Sequence, residues 1–203
     1  MRPIGAVVLA AGASRRFGTP KQLLQFRGRN LLCHAVHAAT NGGCAPVIVV
    51  EGALGNLAQE LSDTRAEVVR NPEWERGIGT SVRTGVNYLL GQSADVHGVV
   101  VLTCDQPLID AGVIAALLMT AAHSGIGIIA SRYANTLGIP AYFSRNYFDA
   151  LRNLADDAGA KSIILSHPED VVEVICENGA IDIDTPADFD SLINRPPASH
   201  LDL

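Results

Sequence analysis

At 203 residues, 48% of them hydrophobic and 18% charged, the chain has the size and composition of one folded globular unit and not of a disordered segment. Its formal net charge of −6 argues against a surface built for sequence-independent nucleic-acid binding, yet leaves room for a few local cations around a nucleotide. No apolar run approaches the roughly 20 residues needed to cross a bilayer, and the early residues lack a signal peptide's long apolar region, so the expected setting is the cytoplasm, with no membrane partner.

The first expected strand, Ile4–Leu9, runs straight into a loop of small residues, Ala10-Ala11-Gly12-Ala13-Ser14, followed by Arg15-Arg16-Phe17-Gly18-Thr19-Pro20-Lys21. Gly12 and Gly18 lack the Cβ that obstructs tight turns and close approach of a ligand. Consecutive exposed N–H groups in such a loop form a concave seat for phosphate oxygens, and Arg16 and Lys21 add full positive charge beside it. The spacing fits neither a P-loop, which needs lysine directly after the second glycine, nor the Gly-x-Gly-x-x-Gly dinucleotide fingerprint. A nucleoside triphosphate is the ligand this loop suits; an ordinary turn with solvated arginines is the plainer alternative.

Further strands are expected at Pro46–Glu51, Ala66–Arg70, Gly98–Thr103 and Ile126–Ala130, and helices at Asn30–Asn41, Leu54–Ser62, Gly79–Leu90 and Asp110–His123. The Val/Ile-rich, continuously apolar strands suit burial on both faces of a parallel sheet. Their alternation with helices predicts a three-layer, doubly wound α/β fold with a mostly parallel sheet. Beyond Ser131 the rhythm changes. A strand is expected at Gly138–Phe143, short helices at Arg145–Leu151 and Ala158–Ser166, and strands near Val171–Ile175 and Ala180–Ile183. Asp184-Thr185-Pro186 opens a last helix. This organisation predicts one domain over residues 1–194, with a nucleotide half to about residue 130, an acceptor half after it, and a loose tail at 195–203.

Cys33, Cys44, Cys104 and Cys176 form no Cys-x-x-Cys pair and are expected as buried free thiols. His34 and His37 lie three apart without a further ligand at metal-binding spacing. The carboxylates are more informative. In an open parallel sheet, ligands bind beyond the carboxyl ends of the strands, and Asp105 follows the apolar run Val99–Leu102 at such an end. A charge there is costly unless paired, and Mg²⁺, which takes one or two carboxylates and completes its shell with phosphate oxygens and water, is a natural partner. Asp184 offers a second carboxylate, with Asp182 its rival two residues away; a turn for Asp105 and a helix cap for Asp184 are the structural alternatives. In the segment from Asn71 to Gly85, Thr80 and Ser81 are suited either to hydrogen-bonding a base or to capping a helix. Trp74, the only tryptophan, fits a core position equally well.

The stretch from Leu9 to Lys21 closely resembles the Leu-Ala-Ala-Gly-x-Ser-x-Arg-Met-Gly-x-x-Lys signature of MobA-like nucleotidyltransferases, and within them the molybdenum cofactor cytidylyltransferases. Supporting matches are Gln22-Leu23-Leu24, the Asn71/Trp74/Gly77/Ser81/Gly85 pattern, Thr103-Cys104-Asp105-Gln106-Pro107, Asp157–Lys161 and Asp182–Pro186. The resemblance implies that CMP passes from CTP to a phosphorylated small-molecule acceptor, with Lys21, Arg16 and Asp105 in catalytic roles and Asp105 and Asp184 on Mg²⁺. It implies that Leu9, Ala10, Ala11, Gly12, Ser14, Lys21, Ser81, Thr103 and Cys104 hold the nucleotide, and that Gly138, Pro140 and Lys161 face the acceptor. It also implies a molybdoenzyme or chaperone as the protein receiving the product. Ala11 resembles cytidylyl-transferring relatives, whereas guanylyl-transferring ones tend to have glycine there. Phe17 stands in place of methionine, Lys161 in place of arginine, and Ile139 where cofactor-specific relatives often carry histidine. Transfer of GMP from GTP, transfer of CMP to a sugar- or polyol-phosphate, and a non-catalytic cofactor-handling module are the alternatives.

Overall fold

The computed structural model describes residues 3–14 and 16–194; the expected tail at 195–203 lies outside them. Nine strands occur among these residues: β1 Ile4–Ala10, β2 Gln25–Phe26, β3 Arg29–Asn30, β4 Val47–Glu51, β5 Glu67–Arg70, β6 Gly98–Thr103, β7 Ile128–Tyr133, β8 Thr136–Ser144 and β9 Val171–Ile175. The helices are α1 Leu31–Asn41, α2 Leu57–Glu60, α3 Ile78–Gln92, α4 Ala111–Ser124, α5 Phe148–Arg152, α6 Lys161–Ser166 and α7 Pro186–Ile193.

Seven strands form one sheet in the order β5-β4-β1-β6-β8-β7-β9. The pairs β1–β4, β1–β6, β4–β5 and β7–β9 are parallel, while β8 runs antiparallel between β6 and β7. The most apolar strands, β1, β4 and β6, lie side by side and are buried on both faces. Their alternate side chains feed two cores. One packs under α1, α2 and α4 through Val8, Leu32, Leu57 and Ile114. The other packs under α3, α5 and α6 through Val7, Val86, Leu151 and Ile164. Fold class therefore follows from the alternation that the sequence displays.

Local chemistry sets the helix starts. Asn30 accepts from Cys33 N–H at the head of α1 and Asp110 accepts from Val113 N–H at the head of α4. Thr185 and Asp188 form a reciprocal capping box on α7, with Pro186 in its first turn. The helix expected at Leu54–Ser62 shrinks to α2, because Gly55 precedes it and the buried Glu51 carboxylate takes up the Leu57 N–H. Two tight hairpins were not anticipated. Arg27-Gly28 joins β2 to β3 and Ala134-Asn135 joins β7 to β8, all four residues having positive φ as a type I′ turn requires.

The strand expected at Ala180–Ile183 is a 3₁₀ turn at Glu177–Ala180 followed by irregular chain. Its alternating isoleucines pack elsewhere: Ile183 is fully buried in a third, small core with Phe26, Leu31 and Leu192, flanked by Phe17, Ile181 and Phe189. This third core ties the C-terminal segment to the loop after β1, and the Phe17 and Phe189 rings meet edge to face at 6.3 Å.

Candidate active site

Strands β1 and β6 are neighbours, with Leu9 opposite Thr103, so the loop after β1 and the Thr103–Asp105 turn share one edge of the sheet. The backbone carbonyl of Asp105 accepts from Ile183 N–H at 2.9 Å, which carries Asp184 to the same edge across 79 residues of sequence. The four expected charged groups consequently meet. Lys21 Nζ donates to Asp105 Oδ2 at 2.7 Å and to Asp184 Oδ1 at 3.2 Å, while Arg16 Nη2 reaches Asp184 Oδ2 at 3.2 Å.

Burial alone would pull the Lys21 ammonium down. Attraction to Asp105 and hydrogen bonds to both carboxylates outweigh it, and the pKa is raised above the ordinary lysine value. Lys21 and Asp105 are well covered, whereas Arg16 is largely exposed. Asp182 makes no contact with Lys21 of this kind. Its carboxyl is raised by partial desolvation and then by Asp105 and Asp184, which marks it as a third negative charge nearby. Two carboxylates within 3.2 Å of one ammonium nitrogen are a hard-oxygen pair of the type Mg²⁺ accepts. Among the described residues no three His, Cys, Asp or Glu side chains form a metal-holding group. A divalent ion bound to this pair would take its remaining ligands from phosphate oxygens and water, so the residues fit such an ion.

The loop itself is held from below by Gln22, which is 1% exposed. Its Nε2 donates to the carbonyls of Ala10 at 2.9 Å and Gly12 at 2.7 Å, and its Oε1 accepts from Ser14 Oγ at 3.3 Å. Ser14 Oγ also accepts from Lys21 N–H, and Ser14 adopts a left-handed φ of 52°. Of the two glycines expected to allow tight turns and close approach, Gly18 has a positive φ of 79° and Gly12 does not. Around Gly12 the place of a Cβ is open space, so glycine there keeps the cleft clear instead of bending the chain.

Two adjoining chambers open above this loop. The first, about 220 Å³, is walled by Leu9, Ala10, Ala11, Gly12, Ser81, Thr103, Cys104 and Asp105, together with Lys21, Gln22, Trp74 and Ile78. Its lining is largely apolar, as a base and sugar require. The second, about 370 Å³, is walled by Gly12, Ala13, Ser14, Arg16, Lys21, Trp74, Glu75 and Asp184. It is the charged one. Every residue expected at the nucleotide lines one chamber or the other.

Ser81 lies within the first turns of α3 and does not cap it; its Oγ accepts from Asn71 Nδ2 at 3.0 Å. Thr80 likewise accepts from Asn71 and donates to the Gly77 carbonyl at 2.7 Å. Cys104 is buried, and burial followed by the Asp105 charge pushes its thiol up to about 12, so it is a wall and not a nucleophile. Trp74, which the sequence left between core and ligand, is half-buried and lines both chambers. Gly52 lies behind it; a Cβ there would press on Trp74 Cβ and the Ala11 carbonyl. The signals in the sequence were the place of Trp74 in a polar stretch between a strand and a helix and its membership of the Asn71/Trp74/Gly77/Ser81/Gly85 pattern.

The residues expected at the acceptor are not gathered in these chambers. Gly138 is buried in β8 beneath the Tyr133 hydroxyl, and Pro140 is buried with its carbonyl accepting from Ser131 Oγ at 2.6 Å. Lys161 is exposed at the start of α6. The preceding segment packs on the first turn of α3: Gly79 N–H donates to the Asp156 carbonyl at 2.8 Å, and Asp156 pairs with Arg76 and Arg83. Gln106, not foreseen as a site residue, is buried beside Asp105 and donates to the carbonyls of Gly179 at 2.9 Å and Ile139 at 3.4 Å. It thereby fastens the turn that precedes Asp184.

The MobA-like NTP transferase domain matches residues 6–171. Bifunctional protein GlmU of Caulobacter vibrioides is 41% identical over 130 residues, covering 61% of this chain but only 27% of that protein, so the chain spans about a quarter of it. Nicotine blue oxidoreductase of Paenarthrobacter nicotinovorans is 31% identical over 197 residues, covering 90% of this chain and 92% of that protein. Among solved structures, Rv0371c of Mycobacterium tuberculosis H37Rv in complex with manganese superposes with a TM-score of 0.73 at 26% identity, covering 96% of this chain and all of that one.

Proposed function

The chain belongs to the MobA-like NTP transferase family, and on that premise we propose that it transfers CMP from CTP to a phosphorylated acceptor of the molybdopterin type, releasing pyrophosphate. One observation carries the reading: Lys21 joins Asp105 and Asp184 at the mouth of two adjoining chambers, one apolar and one charged. That is the arrangement a nucleoside triphosphate needs, with base and sugar in the first chamber and phosphates in the second. The cytidylyl preference rests on Ala11, where guanylyl-transferring relatives tend to have glycine.

An oxygen of the acceptor phosphate attacks the α-phosphorus, and the bond to the bridging oxygen of the departing pyrophosphate breaks. Near pH 7 a phosphate monoester is already largely ionised, so no side chain has to remove a proton. The protein's work is to hold two polyanions in line and offset their charge. Lys21 and Arg16 face the leaving group, while the loop after β1 cradles the phosphates. Asp105 and Asp184 would hold Mg²⁺, which supplies charge neutralisation at the phosphates when bound. That the similar Rv0371c structure is a complex with manganese supports a divalent ion as the cofactor. A nicotinamide-dependent redox reaction has no support in the β1 loop, which lacks the Gly-x-Gly-x-x-Gly pattern.

The test is pyrophosphate release with each of CTP, GTP, ATP and UTP against molybdopterin-type and sugar-phosphate acceptors, in Mg²⁺ or Mn²⁺. CTP with the molybdopterin-type acceptor is expected to be fastest, and Asp105→Ala to lower turnover at least about a hundredfold with an unchanged circular dichroism spectrum. Binding of CTP without pyrophosphate release from any pair would replace the enzyme with a non-catalytic module.

A further inference from the structure

We infer that Gln22 is the positioning residue of the phosphate seat: it aims the N–H group of Ala13 at the anion by drawing the Gly12 carbonyl the other way, while its second bond, to the Ala10 carbonyl, fixes the end of β1 from which the loop departs. The inference deepens the nucleotide-binding reading and rests on it. Across a planar trans peptide, the C=O of one residue and the N–H of the next point in opposite directions. Gln22 Nε2 holds the Ala10 carbonyl at 2.9 Å and the Gly12 carbonyl at 2.7 Å. The N–H group of Ala13 is thereby turned away from Gln22. Ala13 and Gly12 line the charged chamber, which Gln22 does not.

The amide's orientation is fixed by its neighbours. Both groups at Nε2 are carbonyl oxygens and accept only, so the donor end of Gln22 must face them. Its Oε1 accepts from Ser14 Oγ, and Ser14 Oγ in turn accepts from Lys21 N–H. One buried side chain thus connects the end of β1, the glycine, the left-handed serine and the backbone of the catalytic lysine. A non-glycine residue at a φ of 52° is held against its intrinsic preference. The Gln22–Ser14–Lys21 chain, with Phe17 and Gly18 N–H groups donating to the Ser14 carbonyl, supplies what holds it. The Ser14 hydroxyl accordingly ties Gln22 to the Lys21 backbone within the loop.

The experiment titrates inorganic tripolyphosphate and CTP, each with Mg²⁺, into the full chain and into Gln22→Met and Gln22→Glu, well below their melting temperatures. Both variants keep the length of the side chain but lose the paired donors. Affinity for both ligands is expected to fall at least about tenfold, the loss that accompanies one charge-assisted hydrogen bond. CTP should protect the Ala13 amide from hydrogen exchange in the parent and fail to do so in the variants. A residue that only stabilised the fold would lower the melting temperature and leave these affinities and the protection unchanged. Tripolyphosphate binding by folded Gln22→Met within about twofold of the parent overturns the inference alone. Should Gln22→Met not fold, Ser14→Ala, which frees the Gln22 amide, must still weaken tripolyphosphate binding, and parental affinity there overturns it too. Failure of the parent to bind any triphosphate removes both this inference and the nucleotide reading.

Discussion

Replacing Lys21 with methionine keeps most of the aliphatic stem and removes the charge that joins Asp105 to Asp184. The Lys21 and Asp105 side chains are 15% and 21% exposed, and Asp184 is 43% exposed. Breaking a fully buried pair costs about 3–5 kcal/mol and an exposed one under about 1 kcal/mol. Asp184 can rehydrate and Asp105 only partly, so about 2 kcal/mol is the expected loss. For a domain of this size that lowers the melting temperature by about 4–8 °C. The raised lysine pKa gives the sign with pH: this contribution is complete below the ordinary lysine value and fades only as pH rises through the higher folded one. At pH 7 the whole effect is therefore visible. Divalent ions sharpen the test. In the parent an arriving ion competes with the ammonium for the same oxygens, whereas in Lys21→Met it meets an uncompensated Asp105 and an Asp184 held only by the exposed Arg16. Calorimetric melts with and without Mn²⁺ are thus expected to show a larger metal-induced rise in the variant, while pyrophosphate release falls by about 10²–10³. A variant that melts within about 1 °C of the parent, with the same metal shift, would refute the idea that Lys21 holds these acids together.

Gly79→Ala places a methyl group against the backbone carbonyls of Ala155 and Ala158; a loss of about 1–3 kcal/mol is expected in urea melts, and unchanged stability would show that the 155–159 segment yields freely. Trp74 is the only tryptophan and borders both chambers, so a saturable change in its emission is expected on titration with CTP and Mg²⁺, and a flat signal where calorimetry reports binding would place the nucleotide elsewhere. Asp170 accepts from Gly127 N–H at 3.0 Å and Tyr147 Oη at 2.7 Å, which hold its carboxyl below the ordinary range. Its stabilisation is present above the unfolded carboxylate pKa of about 4 and lost as pH falls through the lower folded value; urea melts of Asp170→Asn between pH 5 and 2 are expected to show a shallower acid limb, and an identical limb would contradict the shift.

The sheet was legible where burial on both faces leaves a continuous apolar run. Val47–Glu51 and Gly98–Thr103 have no polar alternative to being central strands, and the structure has them beside β1. It was illegible where an alternating pattern has two solutions. Ile181-Asp182-Ile183 has the period of a half-buried strand, but half-burial needs only an apolar floor, and Phe26, Leu31 and Leu192 provide one away from the sheet. The hairpins show a different limit. Ala134-Asn135 carries no glycine, and a positive φ at alanine is not a preference that sequence displays; the flanking β7 and β8 ladders impose it.

For the site, charge was legible and its supports were not. An aspartate after four apolar residues needs a partner, which singles out Asp105; the partner in this structure, Lys21, lies 84 residues away in sequence. Gln22 and Gln106 gave no such signal, because a neutral amide beside a motif is as compatible with solvent as with burial. Yet each satisfies two backbone carbonyls from within the fold. Gln22 shapes the loop that carries Lys21, and Gln106 secures the turn that leads to Asp184. A buried amide that binds two separate chain segments resists small displacements of either, since each bond has to be remade in a place water does not reach. The charged residues can therefore be few and partly exposed, free to exchange partners when a polyphosphate arrives, because the geometry they depend on is kept by neutral side chains beneath them.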